Sequence, residues 1–264
     1  MKKFFQNIFR SSAVTPSYAI PAGERVYAIG DIHGRLDLFE NLISAIDADN
    51  ADRGPAKTTI VLLGDLVDRG PDSAGVLEAA RKLQERRNVR ILQGNHEEMF
   101  LEALEDEDVL RQFLRFGGKE TILSYPIDPD AYRELTLSEL QQQLRTVVPA
   151  SHLDFIRGFE DQIQIGDYLF VHAGIRPGVE PEQQATKDLR WIREPFLSDS
   201  SPRDFCVVHG HTITDEPDAQ PTRIGIDTGG FRSGKLTAVG LELDRRWFLQ
   251  GTEVSDLTPE AVTA

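Results

Sequence analysis

The first hundred residues alternate between short apolar runs and longer amphipathic stretches. Three runs rich in β-branched and aliphatic residues, at 25–29, 59–63 and 89–93, each end at a glycine-containing loop. Apolar residues then recur at helical spacing, as in 73–87. This pattern predicts three strand, loop and helix units. Because crossovers between parallel strands are right-handed, the three loops are expected at the same edge of one sheet.

A helical pattern interrupted by proline-containing turns covers the stretch from about 98 to 160. It predicts a helical insertion beside the strand-end loops. Sheet character returns after it, with a hairpin predicted at 163–171 around the turn pair Gly166-Asp167. Further strands are predicted at 205–208, 223–226 and 236–243. These strands are expected to form a second sheet.

The length of 264 residues suits one large α/β domain or a domain with an inserted cap. A single domain is predicted over 23–251, with polar tails at 1–22 and 252–264. Polar residues interrupt the apolar pattern near the N-terminus before a signal-peptide core can form, and no run reaches membrane-spanning length. No stable membrane association is therefore expected.

Charge and cysteine content limit the kinds of binding partner and the cellular compartment that are expected. The 43 acidic and 29 basic residues give a net charge of −14, which argues against nucleic-acid binding because that function needs a basic face. An anionic substrate is not excluded, since bound divalent cations dominate a local field. The single cysteine, Cys206, lies in a strand-like setting and is predicted to be a core residue. A reducing, cytoplasmic location is expected.

The loop Gly64–Gly70 carries two carboxylates and a guanidinium at the end of a predicted strand, in Asp65, Asp68 and Arg69. Like charges in a partly dry cleft repel each other unless a cation neutralises them, so a metal is the expected partner of the carboxylates. The rigid fork of donors on Arg69 suits a phosphate or carboxylate. The loop by itself therefore suggests a metal next to an oxyanion, with a capped turn carrying a surface ion pair as the alternative.

The other strand ends add further groups that can bind a metal. The full candidate set is Asp31, His33, Asp65, Asn95, His172 and His211. This mixture of carboxylate, imidazole and amide suits Mn²⁺, Fe or Zn²⁺ better than Ca²⁺. Six ligands are too many for one catalytic ion, so two ions about 3.5–4 Å apart, bridged by one carboxylate, are predicted.

Five motifs in chain order carry a family resemblance: Gly-Asp-x-His-Gly, Gly-Asp-x-Val-Asp-Arg-Gly, Gly-Asn-His-Glu, His-Ala-Gly and Gly-His-Thr. Over roughly residues 25 to 243, the chain resembles the phosphoprotein phosphatases of the calcineurin-like metallophosphoesterase superfamily, particularly the compact bacterial type. The resemblance implies an α/β fold, a four-layer αββα sandwich of two mixed sheets, with a helical insertion beside the active site.

The resemblance also implies a role for each motif residue. Asp31 and His33 would hold the first metal, Asp65 would bridge both metals, and the second metal would be held by Asn95, His172 and His211. The general acid would be His96, oriented by Asp68. The substrate phosphate would be bound by Arg69, Arg193 and Asn95. Arg193 is preferred to Arg190 within the segment Trp191-x-Arg193-Glu194, and its alternative role is an ion pair with Glu194.

The implied activity is dinuclear metal-dependent phosphomonoester hydrolysis by direct attack of a metal-bound hydroxide. Mn²⁺ is the expected metal, with Fe and Zn²⁺ as alternatives. The expected substrates are proteins or peptides carrying phosphoserine or phosphothreonine, with phosphotyrosine as a further candidate and small phosphoesters as substrates in vitro. One alternative is a symmetrical dinucleoside tetraphosphate hydrolase, although those enzymes usually carry alanine in place of Asp68. Another is a metal-binding scaffold without turnover, which would not need the His96 and Asp68 pair.

Four further polar residues are predicted to have structural roles. His209, two residues before His211, is expected to be structural rather than a metal ligand. Glu97 is expected to support the turn after His96, and Asp227 to brace a turn near His211. His152 is expected to be a solvated or locally bonded histidine of the insertion.

Overall fold

The computed structural model describes residues 18–253. The predictions made for residues 1–17 and 254–264 lie outside the described residues. Within the described part, the strands are β1 Glu24–Ile29, β2 Lys57–Leu62, β3 Val89–Ile91, β4 Gln162–Ile165, β5 Tyr168–Val171, β6 Cys206–His209, β7 Asp218–Ala219, β8 Arg223–Gly225, β9 Lys235–Glu242 and β10 Arg245–Thr252. The helices are α1 Leu36–Asp52, α2 Ser73–Arg86, α3 Asn95–Ala103, α4 Glu107–Arg115, α5 Gly118–Leu123, α6 Pro129–Glu134, α7 Leu137–Val147, α8 Ala150–Arg157, α9 Thr186–Trp191 and α10 Gly230–Ser233.

The first sheet has the strand order β10-β9-β1-β2-β3, with β1, β2 and β3 parallel and β9 antiparallel to β1. The register pairs Ile29 with Leu62 and Leu62 with Ile91. The three parallel strands therefore end side by side, and the loops that follow them emerge together, as the sequence predicts.

The second sheet has the order β4-β5-β6-β8-β7, and its central strands β5, β6 and β8 are parallel. The antiparallel pair β4 and β5 is the predicted hairpin. Phe170 pairs with Val208, so the loops that follow β5 and β6 also leave the sheet next to each other.

The two sheets pack face to face, and alternate residues of each strand lie on opposite faces. In β1, Val26 and Ala28 belong to the core between the sheets, where they join Phe170 of β5. Tyr27 of β1 belongs instead to the core formed with α1 and α2. On the far side of the second sheet, the cover consists of α9 and the segment that follows it. The predicted sandwich of two mixed sheets is confirmed, with a thinner layer on this side.

The predicted helical insertion is formed by the helices between β3 and β4, and its apolar side chains join the core beneath α1 and α2. Its helix α5 lies behind the Gly64–Gly70 loop, because the backbone N–H of Arg69 donates to the carbonyl of Gly117 at 2.9 Å. His152 is buried, with Nδ1 3.0 Å from the Tyr125 hydroxyl. It is therefore locally bonded rather than solvated.

The N-terminal boundary of the domain differs from the prediction. Tyr18 and Ile20 are buried in the core between the sheets, although the sequence places them in the tail. The backbone N–H of Ile20 donates to the carbonyl of Leu243 at the turn between β9 and β10. This contact joins residues that are far apart in sequence, so local composition could not reveal it. Among residues 18–253, no helix is both long and apolar enough to cross a membrane.

Candidate active site

The loop Gly64–Gly70 is held in place by a side chain from the next unit of the chain. Glu97, in the first turn of α3, is fully buried. Its carboxylate accepts the backbone N–H groups of three consecutive residues beginning with Asp65, at 2.7–3.2 Å, and that of Gly94 at 3.0 Å. Glu97 therefore does more than the predicted support of its own turn, because it fixes the backbone that carries Asp65.

Backbone strain is concentrated at the predicted site. Among the described residues other than glycine, six adopt a positive φ, a conformation that costs about 1–3 kcal/mol and persists only where the surroundings enforce it. Five of the six are predicted site residues, with φ between 47° and 73°: His33, Asp65, Asp68, Arg69 and His211. The fold therefore tolerates strain mainly where it directs these side chains inward.

Asp65 lies at the centre of the site. Its Oδ2 atom is 3.7 Å from Nε2 of His33, 3.4 Å from Nε2 of His172 and 3.9 Å from Nε2 of His96. Two groups that could hold a metal ion share Asp65, one with His33 and His96 and the other with His172 and His211. Burial raises the pKa of Asp65, and positive charge on the surrounding histidines, when they are protonated, lowers it. Asp65 thus lies where a carboxylate bridging two cations would be required.

The imidazoles present unprotonated Nε2 atoms. Nδ1 of His33 is 2.8 Å from the carbonyl of Val67, and Nδ1 of His172 is 2.8 Å from the carbonyl of Leu63. A carbonyl only accepts, so in each ring Nδ1 carries the proton and Nε2 carries the lone pair. Burial lowers the pKa of both histidines, and it lowers that of His211 to about 3. Neutral imidazoles of this kind are suitable metal ligands.

Two contacts show that this donor set fits a cation. Oδ1 of Asn95 is 3.0 Å from Nε2 of His172, so two hydrogen-bond acceptors face each other, an arrangement that a shared cation satisfies. Nε2 of His211 is buried and has no hydrogen-bond partner among residues 18–253. Buried polar atoms are normally satisfied. The residues therefore fit a centre of two divalent cations bridged by Asp65.

Asp31 is placed differently from the other predicted ligands. Both its carboxylate oxygens lie 3.1 Å from the backbone N–H of His211, and it stands outside the two groups that share Asp65. A Cβ at position 210 would collide with its carboxylate, which explains the glycine there. Burial and the neighbouring Asp227 raise the pKa of Asp31 well above its ordinary value. Burial and the neighbouring acid thus disfavour the charged form of Asp31 when no cation is bound.

His96 and Asp68 form a buried pair. Nδ1 of His96 is 2.6 Å from Oδ2 of Asp68, and the other oxygen of Asp68 accepts the Thr121 hydroxyl at 2.6 Å. The backbone N–H of Asp68 donates to the hydroxyls of Ser73 and Thr121. Burial by itself lowers the pKa of His96, but the Asp65 and Asp68 carboxylates outweigh it and raise the value. A proton donor near neutral pH needs such a raised pKa.

A family model described as calcineurin-like phosphoesterase matches residues 24–230, which include each of the six predicted metal ligands and the His96 and Asp68 pair. The chain belongs to the calcineurin-like phosphoesterase family. Enzymes of this family are hydrolases that use a dinuclear divalent metal centre, and the donor set around Asp65 fits such a centre.

Relatives of this calcineurin-like phosphoesterase carry two kinds of activity in their names. This chain is 28% identical over 223 residues to serine/threonine-protein phosphatase 2 of Escherichia coli (strain K12), and the alignment covers 80% of this chain and 90% of that protein. It is 34% identical over 152 residues to a symmetrical bis(5′-nucleosyl)-tetraphosphatase of Acidovorax sp. (strain JS42), covering 58% of this chain and only 44% of that protein. The asymmetrical bis(5′-nucleosyl)-tetraphosphatase PrpE of Bacillus velezensis is 29% identical over 236 residues, covering 79% of this chain and 86% of that protein.

A solved structure described as a putative diadenosine tetraphosphatase superposes on this phosphoesterase with a TM-score of 0.61. The alignment covers 90% of this chain and all of that chain, at 22% sequence identity. At this identity the likeness establishes the fold alone, and it agrees with the sandwich of two mixed sheets.

The arginines of this phosphoesterase occupy distinct environments. Arg69 is half-buried, and its guanidinium lies 2.8 Å from Nε2 of His33 and 2.9 Å from Nε2 of His96. Arg190 is held by Glu98 and Asp161, which makes it a structural residue. Arg193 is exposed and lies near enough to His211 to lower its pKa.

Arg193 does not form an ion pair with Glu194, its alternative predicted role. Among residues 18–253 there is no ion pair between Arg193 and Glu194, and Glu194 accepts instead from the hydroxyl of Ser198 at 2.6 Å. The exposed Arg193 is thus positioned at the mouth of the site rather than in its supporting framework.

Two residues that contact the predicted site residues, Thr121 and Phe231, could not be identified from the sequence. Thr121 comes from the insertion, where composition indicates only helix. Phe231 of α10 lies at the rim, with its ring centre 5.5 Å from that of His33 and 5.0 Å from Cζ of Arg69.

His209 packs its ring edge-on against that of Phe196, with the ring centres 5.0 Å apart, in line with its predicted structural role. Cys206 is buried, also as predicted.

Proposed function

We propose that this metallophosphoesterase is a phosphoprotein phosphatase that removes phosphate from phosphoserine and phosphothreonine, with phosphotyrosine as a further substrate and Mn²⁺ as its metal. The observation that supports this most directly is the 2.6 Å contact between His96 and Asp68. An alkoxide leaving group needs a proton, and this pair holds an imidazole ready to supply one. Symmetrical dinucleoside tetraphosphate hydrolases, by the family resemblance, usually lack the aspartate.

The predicted site residues have separate roles in this proposal. Asp31, His33, Asp65, Asn95, His172 and His211 would hold two divalent cations, whose charge would polarise the phosphoryl group and activate water for in-line attack. Arg69 has to release Nε2 of both His33 and His96, since a guanidinium only donates and would otherwise occupy both lone pairs, and its guanidinium then binds the phosphoryl oxygens. Arg193 adds a second donor from the mouth of the site. His96 transfers its proton from Nε2 to the leaving oxygen while Asp68 holds Nδ1.

Hydrolysis of dinucleoside tetraphosphates is the second candidate function. It is favoured by the Bacillus velezensis relative, whose name carries that activity and whose alignment covers most of both chains. The proposed function includes a cytoplasmic location, supported by the single buried cysteine. The acidic net charge argues against a nucleic-acid substrate.

The test compares kcat/KM for a phosphoserine peptide and for diadenosine tetraphosphate with Mn²⁺ present, on wild type and on Asp68→Ala. We expect wild type to prefer the peptide and Asp68→Ala to lose about 10–100-fold on the peptide, the usual cost of removing an orienting partner. Asp154→Ala, a change at an exposed carboxylate of α8, is the control and should match wild type. A wild-type preference for the dinucleotide would favour the second candidate. Binding of two metals without turnover of either substrate would indicate a scaffold.

A further inference from the structure

Two aromatic side chains lie beside predicted metal ligands, and their surroundings differ. The ring centre of Trp191 is 6.5 Å from that of His211, and its indole N–H donates to Glu98 at 2.6 Å. Trp191 also packs against the core beneath α1 and α2. Phe231 lies at the other end of the centre, against His33, and is half-buried. In the described part of the chain, Phe231 belongs to none of the three apolar clusters, so its ring does not serve to fill a core.

The backbone around Phe231 holds the ring in this place. The helix α10 is a single turn between two glycines of positive φ, Gly229 at 64° and Gly234 at 68°. The guanidinium of Arg35, which follows the loop that carries His33, donates to the carbonyl of Gly230 at 3.0 Å. A side chain that is placed before a ligand arrives loses little freedom when the ligand binds. Phe231 is therefore suited to contact a ligand at the mouth of the site.

Phe231 lies on the side of the centre where the leaving group is expected. The ring centres of His33 and His96 are 4.7 Å apart, and that of Phe231 is 5.5 Å from His33. Phe231 and His96 also contact the same guanidinium, that of Arg69. In the proposed function the leaving oxygen lies at Nε2 of His96 and the phosphoryl oxygens lie at Arg69. The group attached to the leaving oxygen is therefore expected next to Phe231.

We propose that Phe231 is a specificity-determining residue that binds the phenol ring of phosphotyrosine. This inference rests on the proposed function and explains how the same site takes tyrosine besides serine and threonine. Two aromatic rings in offset or edge-to-face contact attract each other more than their buried area alone accounts for. Phosphoserine and phosphothreonine carry no ring, so they gain nothing from this contact.

Binding of two phosphonates to the Mn²⁺-loaded protein tests the proposal without turnover. Benzylphosphonate and ethylphosphonate both carry a methylene group in place of the ester oxygen, and only the first carries a ring. By calorimetry, Phe231→Ala should weaken benzylphosphonate binding about 5–30-fold and ethylphosphonate binding less than about 2-fold. Phe231→Leu, which keeps an apolar side chain but no ring, should still weaken benzylphosphonate binding by about 3-fold or more. Phe248→Ala, the same change at an exposed phenylalanine of the edge strand β10, is the control and should match wild type.

Turnover gives a second measurement. With two peptides that differ only in the phosphorylated residue, Phe231→Ala should raise KM for the phosphotyrosine peptide about 5–30-fold and leave KM for the phosphoserine peptide near the wild-type value.

Equal weakening of both phosphonates in Phe231→Ala would mean that Phe231 only supports Arg69, and it would overturn the proposal. Full recovery in Phe231→Leu, equal affinity of wild type for the two phosphonates, or a loss confined to diadenosine tetraphosphate would overturn it as well. The proposed function would fail separately, through a wild type that hydrolyses neither peptide but still binds benzylphosphonate more tightly than ethylphosphonate.

Discussion

The loops of the first sheet and those of the second sheet supply different chemistry to the same centre. The first sheet contributes the carboxylates and the proposed general acid, on loops supported by side chains from the helices, such as Glu97 and Thr121. The second sheet contributes His172 and His211, which are fixed through contacts with the first sheet: Nδ1 of His172 with the carbonyl of Leu63, and the N–H of His211 with Asp31. The second half of the site therefore depends on the first for both charge and placement.

Replacing the shared carboxylate should have the largest effect, because Asp65 belongs to both metal-competent groups. We expect Asp65→Asn to lower turnover of p-nitrophenyl phosphate on the order of 10³-fold or more, since several kcal/mol of charge stabilisation is lost. Mn²⁺ binding should fall from two ions to none at micromolar concentrations. His172→Asn, on the second sheet, should instead retain one ion by calorimetry. Retention of both ions in Asp65→Asn would contradict the central position of this residue.

His96→Ala should have the next largest effect, and it should depend on the leaving group. We expect about a 10²–10⁴-fold loss for a phosphoserine peptide, whose alkoxide needs a proton, and a much smaller loss for p-nitrophenyl phosphate. Both Mn²⁺ ions should still bind. His152→Ala, a change at a buried histidine of the insertion, should lower stability without altering the ratio between the two substrates. Equal losses on both substrates would remove His96 from the role of general acid.

The sequence predicts the location of residues that follow directly from the periodic pattern of apolar positions. Asp31, Asp65 and Asn95 each follow an apolar run that ends at the same sheet edge, so their convergence could be inferred before any contact was known. The roles predicted for them are implied by the family resemblance that the five motifs carry, rather than by spacing alone. This is why the fold and the predicted metal-binding cluster could be outlined from the sequence.

The supporting contacts could not be predicted in the same way. Thr121 reaches Asp68 across 53 residues, and Glu97 reaches the backbone of Asp65 across 32. Tyr18 enters a core that is formed mainly by strands far along the chain. Such contacts depend on how distant segments pack, and a single sequence carries no periodic signal for them.

The smallest predicted effect is a difference in KM and Tm between variants of Arg193 and Arg190, the two arginines near the second-sheet loops. Arg193→Ala should raise KM for a phosphoserine peptide about 10-fold, because it removes a charged donor worth about 1.5–3 kcal/mol at the mouth of the site. Its Tm should be unchanged, since the side chain is exposed. Arg190→Ala should instead lower the Tm by a few degrees, because it leaves Glu98 without its charged partner, and should change KM less.

Inhibition by inorganic phosphate gives an independent measurement of the same contrast. Its inhibition constant should rise in Arg193→Ala and stay near the wild-type value in Arg190→Ala, because of these two arginines only Arg193 is exposed and placed to contact the anion. The opposite pattern, with Arg190→Ala weakening phosphate binding at unchanged Tm, would transfer the phosphate-binding role to Arg190. It would also mean that the second sheet supplies its positive charge from within the buried framework rather than from the rim.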